Sequence, residues 1–243
     1  FHWGTGTFAS RGAVVAANAI RAASVSVRNK LLKQASKLLD TPEEELELAN
    51  GRVCVADIPD RSIGLGELAA LANPLRGAVE PGTEPGLEST DYFGPQYGAT
   101  ANGTVAMILE VDPETMMIEI KRYVTVEDCG TILNPLILEG QIHGGVALGI
   151  ANSYYEQLIY DDQGQLLNAS FADYLVPTAM EVPSIEVGHE ETPSPLNPIG
   201  SKGAGEAGTI PVPSVFAQAL EDALSDYDIE ILEMPMSPNK LFE

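Results

Sequence analysis

Basic residues are scarce in this chain. Of its 243 residues, 13 are Lys or Arg and 35 are Asp or Glu, so the formal net charge is -22 at pH 7. Binding to nucleic acid needs clustered Lys and Arg that neutralise phosphates. Anionic membrane surfaces attract basic segments for the same reason. The composition therefore argues against both kinds of partner.

Cysteine is also scarce. Cys54 and Cys129 are the only two, and they lie too far apart in sequence to form a local metal-binding motif. So few thiols in a chain of this length indicate a reducing compartment. We therefore expect a cytoplasmic location.

Long apolar runs are missing. No stretch is long enough to span a bilayer, and no charged segment followed by an apolar one opens the chain as in a signal peptide. Hydrophobic residues make up 44% and charged residues 20% of the sequence, which is typical of a globular protein of one or two domains. The chain starts at Phe1 rather than Met, which we interpret as a processed product or the C-terminal part of a longer protein.

Glycine, in contrast, is concentrated in one segment. Residues 200–209 read Gly-Ser-Lys-Gly-Ala-Gly-Glu-Ala-Gly-Thr, and such a run lets backbone amides surround an anion. Lys202 is the only base between Arg122 and Lys240, which favours an anionic ligand at this point. Glu206, with small neighbours, is a candidate general base. The alternative is a glycine-rich turn with a solvated Lys–Glu pair.

A second small-residue segment lies near the start of the chain. Residues 4–12 read Gly-Thr-Gly-Thr-Phe-Ala-Ser-Arg-Gly and precede a predicted helix. A hydroxyl, a guanidinium and a helix N-terminus all favour a phosphate. Ser10 and Arg11 are therefore candidate phosphate ligands.

The third segment combines a turn with a glycine-bearing helix. Residues 128–135 read Asp-Cys-Gly-Thr-Ile-Leu-Asn-Pro, and residues 139–145 read Glu-Gly-Gln-Ile-His-Gly-Gly. Side-chain amides such as that of Gln141 offer both donors and an acceptor to the edge of a heterocycle. Cys129 is expected to be a small buried residue rather than a nucleophile. Together the three segments predict one phosphate-bearing heterocyclic cofactor contacted from several points.

Several other chemistries are excluded by missing motifs. His143 has no second His or Cys three or four residues away, so we expect a buried or partner-facing side chain rather than a metal ligand. The chain has neither the G-x-S-x-G pattern of serine hydrolases nor the spacing of a P-loop. No strand followed by G-x-G-x-x-G and a helix indicates a generic nucleotide-binding domain.

Hydrophobic periodicity and turn residues predict the elements that carry these segments. Four glycines inside one predicted helix, Gly140, Gly144, Gly145 and Gly149, predict close approach of another backbone or of a ligand. The bases of the first helix form either a solvated face or a docking face for another subunit. Helices are expected at about 13–39, 65–72, 136–155 and 214–224, with a short helix starting at Thr41-Pro42. Strands are expected at 105–111, 117–126 and 185–188, hairpin turns at Asn50-Gly51 and Asp162-Gln163-Gly164, and a long loop or domain junction at 74–103.

In these same segments the chain resembles a known family, over essentially its whole length. It is similar to the C-terminal half of the molybdopterin-binding large subunit of the molybdenum hydroxylases, which include xanthine dehydrogenase, aldehyde oxidoreductase and aerobic carbon monoxide dehydrogenase. The resemblance is carried by four motifs in order, at residues 10–12, 128–135, 139–145 and 202–208. The Gly-Glu-Ala-Gly ending of the fourth looks more like the carbon monoxide dehydrogenase branch than the xanthine dehydrogenase branch.

The resemblance implies a function and a set of site residues. Glu206 matches the family's catalytic glutamate, which acts as the base when a water-derived oxygen is added to an electron-poor carbon. None of the chain's side chains is expected to ligate the metal. The family implies a molybdenum–molybdopterin cofactor, commonly in the cytosine dinucleotide form in bacteria. Its pterin or nucleotide is expected to contact Ala9, Ser10, Arg11, Asp128, Cys129, Gln141, Lys202, Gly203 and Gly205.

The resemblance also implies partners and a fold. Iron–sulfur and FAD subunits accept the electrons, and the other half of the large subunit supplies the rest of the cofactor site and the loop that selects a small-molecule substrate. The expected fold is α+β, with two lobes of mixed sheet covered by helices. Residues 1–100 form a helix-rich lobe and residues 101–243 form the lobe that carries the Gly-Glu loop. A non-catalytic scaffold or interaction subunit of such a complex is the alternative, because half of the site is missing.

Overall fold

A computed structural model describes residues 6–76 and 84–242 of the chain. Gly4 and Thr5 of the predicted N-terminal loop, and residues 77–83 of the predicted 74–103 loop, lie outside the described residues. The chain divides into two compact units. One is continuous, Val15–Gly94, and the other joins the residues up to Val14 with those from Pro95 onward. The lobe boundary expected at residue 100 stays a prediction.

The continuous unit packs a long helix on a three-stranded sheet. A π-helical turn, Ala13–Ala17, leads into α1, Asn18–Leu39. Strands β1 (Leu46–Ala49), β2 (Arg52–Val55) and β3 (Ile58–Gly64) form an antiparallel sheet in that order, and α2 (Leu65–Leu71) follows. Its core joins one face of α1 to the sheet and α2, through Leu31, Leu32, Ala35, Val53, Val55, Ile63 and Leu68.

Local sequence explains most of these elements, and one expectation is wrong. Asn50 and Gly51 both have positive φ, at 49° and 73°, as the predicted two-residue hairpin turn requires. The helix expected from Thr41-Pro42 is only a 3₁₀ turn at Glu43–Glu45, because β1 begins at Leu46 and leaves no room for a second turn.

The second unit, which carries the candidate site, combines a mixed sheet with two main helices. Strands β4 (Asn102–Val111) and β5 (Ile118–Asp128) are antiparallel, and β6 (Ile185–Glu190) pairs with β5 in parallel. Helix α3 (Pro135–Ile150) continues through a π-helical turn at Ala151–Tyr155, and α4 (Val212–Ala223) and a short α5 (Pro238–Phe242) follow.

Two clusters form the core of this unit. One joins Tyr123 of β5 to the buried face of α3 and to Val212. The other packs Tyr154 against Phe216, Leu220 and Met236. The α+β prediction is confirmed, with a mixed sheet in this unit and an antiparallel one in the other. Among the described helices, none is both long and apolar enough to cross a bilayer.

Candidate functional site

The carboxylate of Glu206 meets the N-terminal segment of the chain. The hydroxyl of Ser10 donates a hydrogen bond to Oε2 of Glu206, with 2.6 Å between the oxygens. Glu206 itself is exposed. A carboxylate that accepts a hydrogen bond from a hydroxyl is restrained in its orientation. Ser10 and Glu206, 196 residues apart, are thus direct neighbours.

The turn that presents Ser10 is strained. Ala9 and Ser10 both have φ of 52°, a left-handed conformation that costs a non-glycine residue about 1–2 kcal/mol. The amide of Arg11 closes the turn on the carbonyl of Phe8 at 3.4 Å, and the Arg11 guanidinium lies 3.8 Å from the centre of the Phe8 ring. Left-handed residues of this kind persist where surrounding contacts fix them, often at functional sites.

Glycines let the loop at 200–209 lie directly against Ser10 and α3. A Cβ added at Gly203 would lie 3.0 Å from the carbonyl oxygen of Ser10. One added at Gly205 would lie 3.4 Å from the Ser10 hydroxyl and 3.7 Å from Oε1 of Gln141. Ser10, Gln141, Gly203, Gly205 and Glu206 therefore form one cluster.

Helix α3 packs directly against the loop at 200–209. The Asn134 side chain accepts a hydrogen bond from the amide of Ile137 at 3.2 Å, and Pro135 occupies the first turn, so the helix start is well defined. A Cβ at Gly208 would lie 2.4 Å from the carbonyl oxygen of Ile142, and one at Gly149 would lie 2.5 Å from Val212. The loop and the helix backbone are therefore in direct contact.

The four glycines of α3 differ in their surroundings. Gly145 and Gly149 contact residues 208–212, as the close-approach prediction requires. Gly140 and Gly144 have no atom within 4 Å of an added Cβ among the described residues, so for them close approach of another backbone or of a ligand stays a prediction. His143 is exposed, which excludes the buried alternative.

Only part of the glycine loop has free amides. The amide of Lys202 donates to the carbonyl of Cys129 and that of Gly203 to the carbonyl of Ala99, each at 2.9 Å. Among the described residues, the amides of Ala204, Gly205 and Glu206 have no protein acceptor. These three consecutive amides, which include that of Glu206 itself, are therefore available to a ligand.

Lys202 is not a solvated partner of Glu206. Its ammonium lies 3.0 Å from Oδ2 of Asp128, and the Lys202 side chain is only 9% exposed. Oδ1 of Asp128 accepts hydrogen bonds from the amides of Thr192 and Gly130, each at 3.0 Å. These amides and the Lys202 ammonium hold the pKa of Asp128 well below its usual range. The interpretation of this segment as a turn with a solvated Lys–Glu pair is therefore wrong.

Cys129 is buried, as expected for a small core residue. It is 4% exposed, and burial, reinforced by Glu127 and Asp128, raises the pKa of its thiol to about 11. A thiol with such a pKa stays protonated at neutral pH and is a poor nucleophile. Gly130 next to it has φ of 62°, and a Cβ there would lie 2.2 Å from the carbonyl oxygen of Gly200.

Sequence reasoning missed a second layer of polar residues behind Asp128. Glu127 is 2% exposed and accepts a hydrogen bond from the Thr125 hydroxyl at 2.9 Å. Burial raises the pKa of Glu127. The side chain opposes His189 in the β5–β6 register and fits only because residue 103 is glycine, where a Cβ would lie 2.3 Å from Oε2 of Glu127. The alternation of Tyr123, Thr125 and Glu127 along β5 was the available signal.

The predicted site residues thus fall into two groups. Ser10, Gln141, Gly203, Gly205 and Glu206 lie together at the accessible end of the loop. Asp128, Cys129 and Lys202 lie behind it and stabilise its start. Ala9 and Arg11 belong to the Ser10 turn and are exposed. Among the described residues, no cluster of three or more His, Cys, Asp and Glu could hold a metal ion.

Comparison with known proteins identifies this arrangement. The sequence profile of the molybdopterin cofactor-binding domain family matches residues 1–183. The chain is 38% identical over 239 residues to the nicotine 6-hydroxylase large subunit of Paenarthrobacter nicotinovorans, covering 98% of this chain and 29% of the relative. It is 33% identical over 241 residues to the carbon monoxide dehydrogenase large chain of Afipia carboxidovorans, covering 99% of this chain and 29% of the relative.

Comparison with solved structures supports the same relationship. The crystal structure of quinoline 2-oxidoreductase from Pseudomonas putida 86 superposes with a TM-score of 0.88 and 39% identity, covering 98% of this chain and 30% of the matched chain. The chain therefore spans about three tenths of the length of the relatives it matches. It belongs to the molybdopterin cofactor-binding domain family and corresponds to part of the large subunit of the molybdenum hydroxylases.

Proposed function

We propose that this chain provides the base and one wall of the cofactor site in a molybdenum-dependent hydroxylase or dehydrogenase. The complex would oxidise a carbon centre with water as the oxygen source. One observation carries the proposal: the exposed Glu206 carboxylate, held by the Ser10 hydroxyl at 2.6 Å, lies in a loop with free amides. A base needs this combination of fixed orientation and access.

The residues at the accessible end fit a pterin cofactor. The amides of Ala204, Gly205 and Glu206 have no acceptor among the described residues and offer donors to an anionic or carbonyl oxygen. The Gln141 amide offers both a donor and an acceptor to a heterocycle edge. When bound, the molybdenum–pterin group would supply the two-electron redox chemistry, and this chain would supply orientation and proton transfer.

In this proposal the chain's residues have distinct roles. Glu206 takes up the proton released when a water-derived oxygen is added to the substrate carbon. Ser10 orients that carboxylate, and Ala9 and Arg11 shape the turn and contact the cofactor's phosphate-bearing part. Gln141, Gly203 and Gly205 line the pterin side.

The buried residues hold the loop and contact the cofactor through the backbone. Asp128 is kept ionised by two amides and fixes Lys202. The carbonyl oxygen of Cys129 accepts a hydrogen bond from the amide of Lys202. Removing either partner of such an ion pair would leave the other charge uncompensated in a largely enclosed position, so this pair defines where the loop begins.

The substrate and partners follow from the relatives as proposals. An aromatic N-heterocycle is the first substrate class to test, because identity is 39% to a quinoline 2-oxidoreductase and 38% to a nicotine 6-hydroxylase, against 33% to a carbon monoxide dehydrogenase. We propose the cytosine dinucleotide form of the cofactor, iron–sulfur and FAD partner subunits, and a cytoplasmic location. The rest of the large subunit would come from the portion of the relatives that this chain does not span.

The proposal is tested on the purified native complex. Molybdenum and cytosine nucleotide content are measured together with turnover of quinoline, nicotine, xanthine and carbon monoxide. Glu206→Gln should abolish turnover and leave the molybdenum content unchanged, because the substitution keeps the side-chain shape and removes the base.

Glu230→Gln is the matched control, since Glu230 is exposed and distant in sequence from the loop; it should leave turnover unchanged. Turnover retained by Glu206→Gln would exclude Glu206 as the base. A complex without molybdenum would overturn the cofactor assignment, and full activity without this chain would favour the scaffold alternative.

A further inference from the structure

The segment between α3 and β6 exposes an unusual amount of apolar surface. Among the 23 residues 158–180, eight are large hydrophobic residues classed as exposed, and Phe171 and Met180 are each 89% exposed. Contiguous apolar patches are rare on proteins that work alone, and extensive ones mark interaction sites. We call this stretch the 158–180 segment.

Hydrogen bonds of polar side chains, rather than packing in an apolar core, hold the 158–180 segment in place. The buried Asn168 accepts a hydrogen bond from the amide of Ile159 at 3.0 Å and donates one to the carbonyl of Gln157. The Tyr174 hydroxyl donates to Oε2 of Glu156 at 2.9 Å. These bonds fix the backbone while the apolar side chains face outward. The segment is therefore a preformed surface.

An open cavity within the second unit adjoins this surface. It has a volume of about 340 Å³ and is lined by Ile118, Ile120, Tyr154, Tyr155 and Met180, among others. Met180 belongs to both features, so the apolar surface continues into the cavity. A partner could therefore insert an apolar side chain here.

We propose that the 158–180 segment and the adjoining cavity dock the portion of the large subunit that this chain does not span. The inference rests on the proposed function. The relatives contain almost all of this chain's length together with more than twice as many further residues. A second copy of the chain is disfavoured, because each copy carries a net charge of -22 and like charges oppose association. The occupant has an apolar centre and bases at its rim that face Asp161, Asp162 and Asp173.

Cysteine accessibility in the native complex tests the proposal. Phe171→Cys and Met180→Cys are compared with Ser225→Cys, an exposed position outside the segment, by maleimide labelling and peptide mass spectrometry. The first two should label at least 10-fold more slowly than the control, and all three should label equally after denaturation in guanidinium.

Equal labelling rates in the native complex would overturn the proposal. Protection that disappears on dilution of the complex would assign the surface to a second copy and overturn the assigned occupant. The molybdenum content of the same preparations reports separately on the proposed function. Protected cysteines in a molybdenum-free complex would contradict the function and leave the docking surface standing.

Discussion

The hydroxyl of Ser10 lies 2.6 Å from Oε2 of Glu206 and belongs to a residue whose backbone is left-handed. The strained turn therefore aims a hydrogen-bond donor at the proposed base. This contact joins the two chain segments of the second unit. Substitutions of Ser10 can distinguish the effect of its hydroxyl on turnover from the effect of its backbone conformation on stability.

Ser10→Ala should lower kcat about 10-fold at unchanged molybdenum content, because a hydrogen bond to a charged group is worth roughly 1.5–3 kcal/mol. Ser10→Gly should lower kcat equally but raise the melting temperature relative to Ser10→Ala, since glycine adopts positive φ without strain. Steady-state kinetics and thermal unfolding of both variants check this. Wild-type kcat in both would show that Ser10 does not position Glu206.

Gly208→Ala should displace the loop that carries Glu206. Its Cβ would lie 2.4 Å from the carbonyl oxygen of Ile142, a backbone atom that cannot move without shifting α3. We expect a loss of roughly 2–4 kcal/mol in unfolding free energy together with loss of turnover. Gly144→Ala is the matched control, because an added Cβ there has no neighbour within 4 Å among the described residues; alanine should stabilise the helix by about 0.5–1 kcal/mol. Equal effects of the two substitutions in denaturant unfolding would contradict the close contact.

Asp128→Asn should reduce the acid sensitivity of the protein. The pKa of Asp128 is lowered in the folded state by the amides of Thr192 and Gly130 and by Lys202. Its stabilisation is therefore present above the ordinary pKa of about 4 and is lost as the pH falls below it. The variant should be less stable at pH 7, and its urea midpoint should change less than that of the wild type between pH 5 and pH 3. Asp222→Asn, on the exposed side of α4, should leave the wild-type profile intact.

Glu127→Gln should increase the stability of the protein at alkaline pH. Burial raises the pKa of Glu127 in the folded state, so its contribution is fully present below the ordinary value of about 4.3 and is lost as the pH rises through the raised pKa. The amide oxygen of Gln can still accept the Thr125 hydroxyl, so the variant should be more stable than the wild type at pH 8. A less stable variant at pH 8 in urea unfolding would show that burial does not dominate the pKa of Glu127.

Much of the fold could be predicted from local signals. The Asn50-Gly51 turn, the alternating strands β4 and β5 and the amphipathic α4 follow from period and turn chemistry, which act within a few residues. The region from Thr41 to Glu45 shows the limit of such signals. The Thr41 hydroxyl donates to the carbonyl of Leu39 and does not cap a helix, and the strand that begins at Leu46 removes the length a helix needs.

The site was only partly predictable, because its contacts join distant parts of the chain. The residues next to Lys202 give no indication that its ion-pair partner is Asp128. Those next to Gly203 give no indication that its amide donates a hydrogen bond to the carbonyl of Ala99. Likewise, four glycines in α3 look equivalent in sequence. Which of them touch the loop depends on how the helix is rotated in the folded unit.

The division of the second unit around Val15–Gly94 has a consequence for biosynthesis. A ribosome that adds about 5–20 residues per second makes Ser10 roughly 10–40 s before Glu206. The continuous unit can fold during that interval, while the segment around Ser10 has no Glu206 to bind. A gene split placed between the two units would therefore separate the proposed base from the residue that orients it.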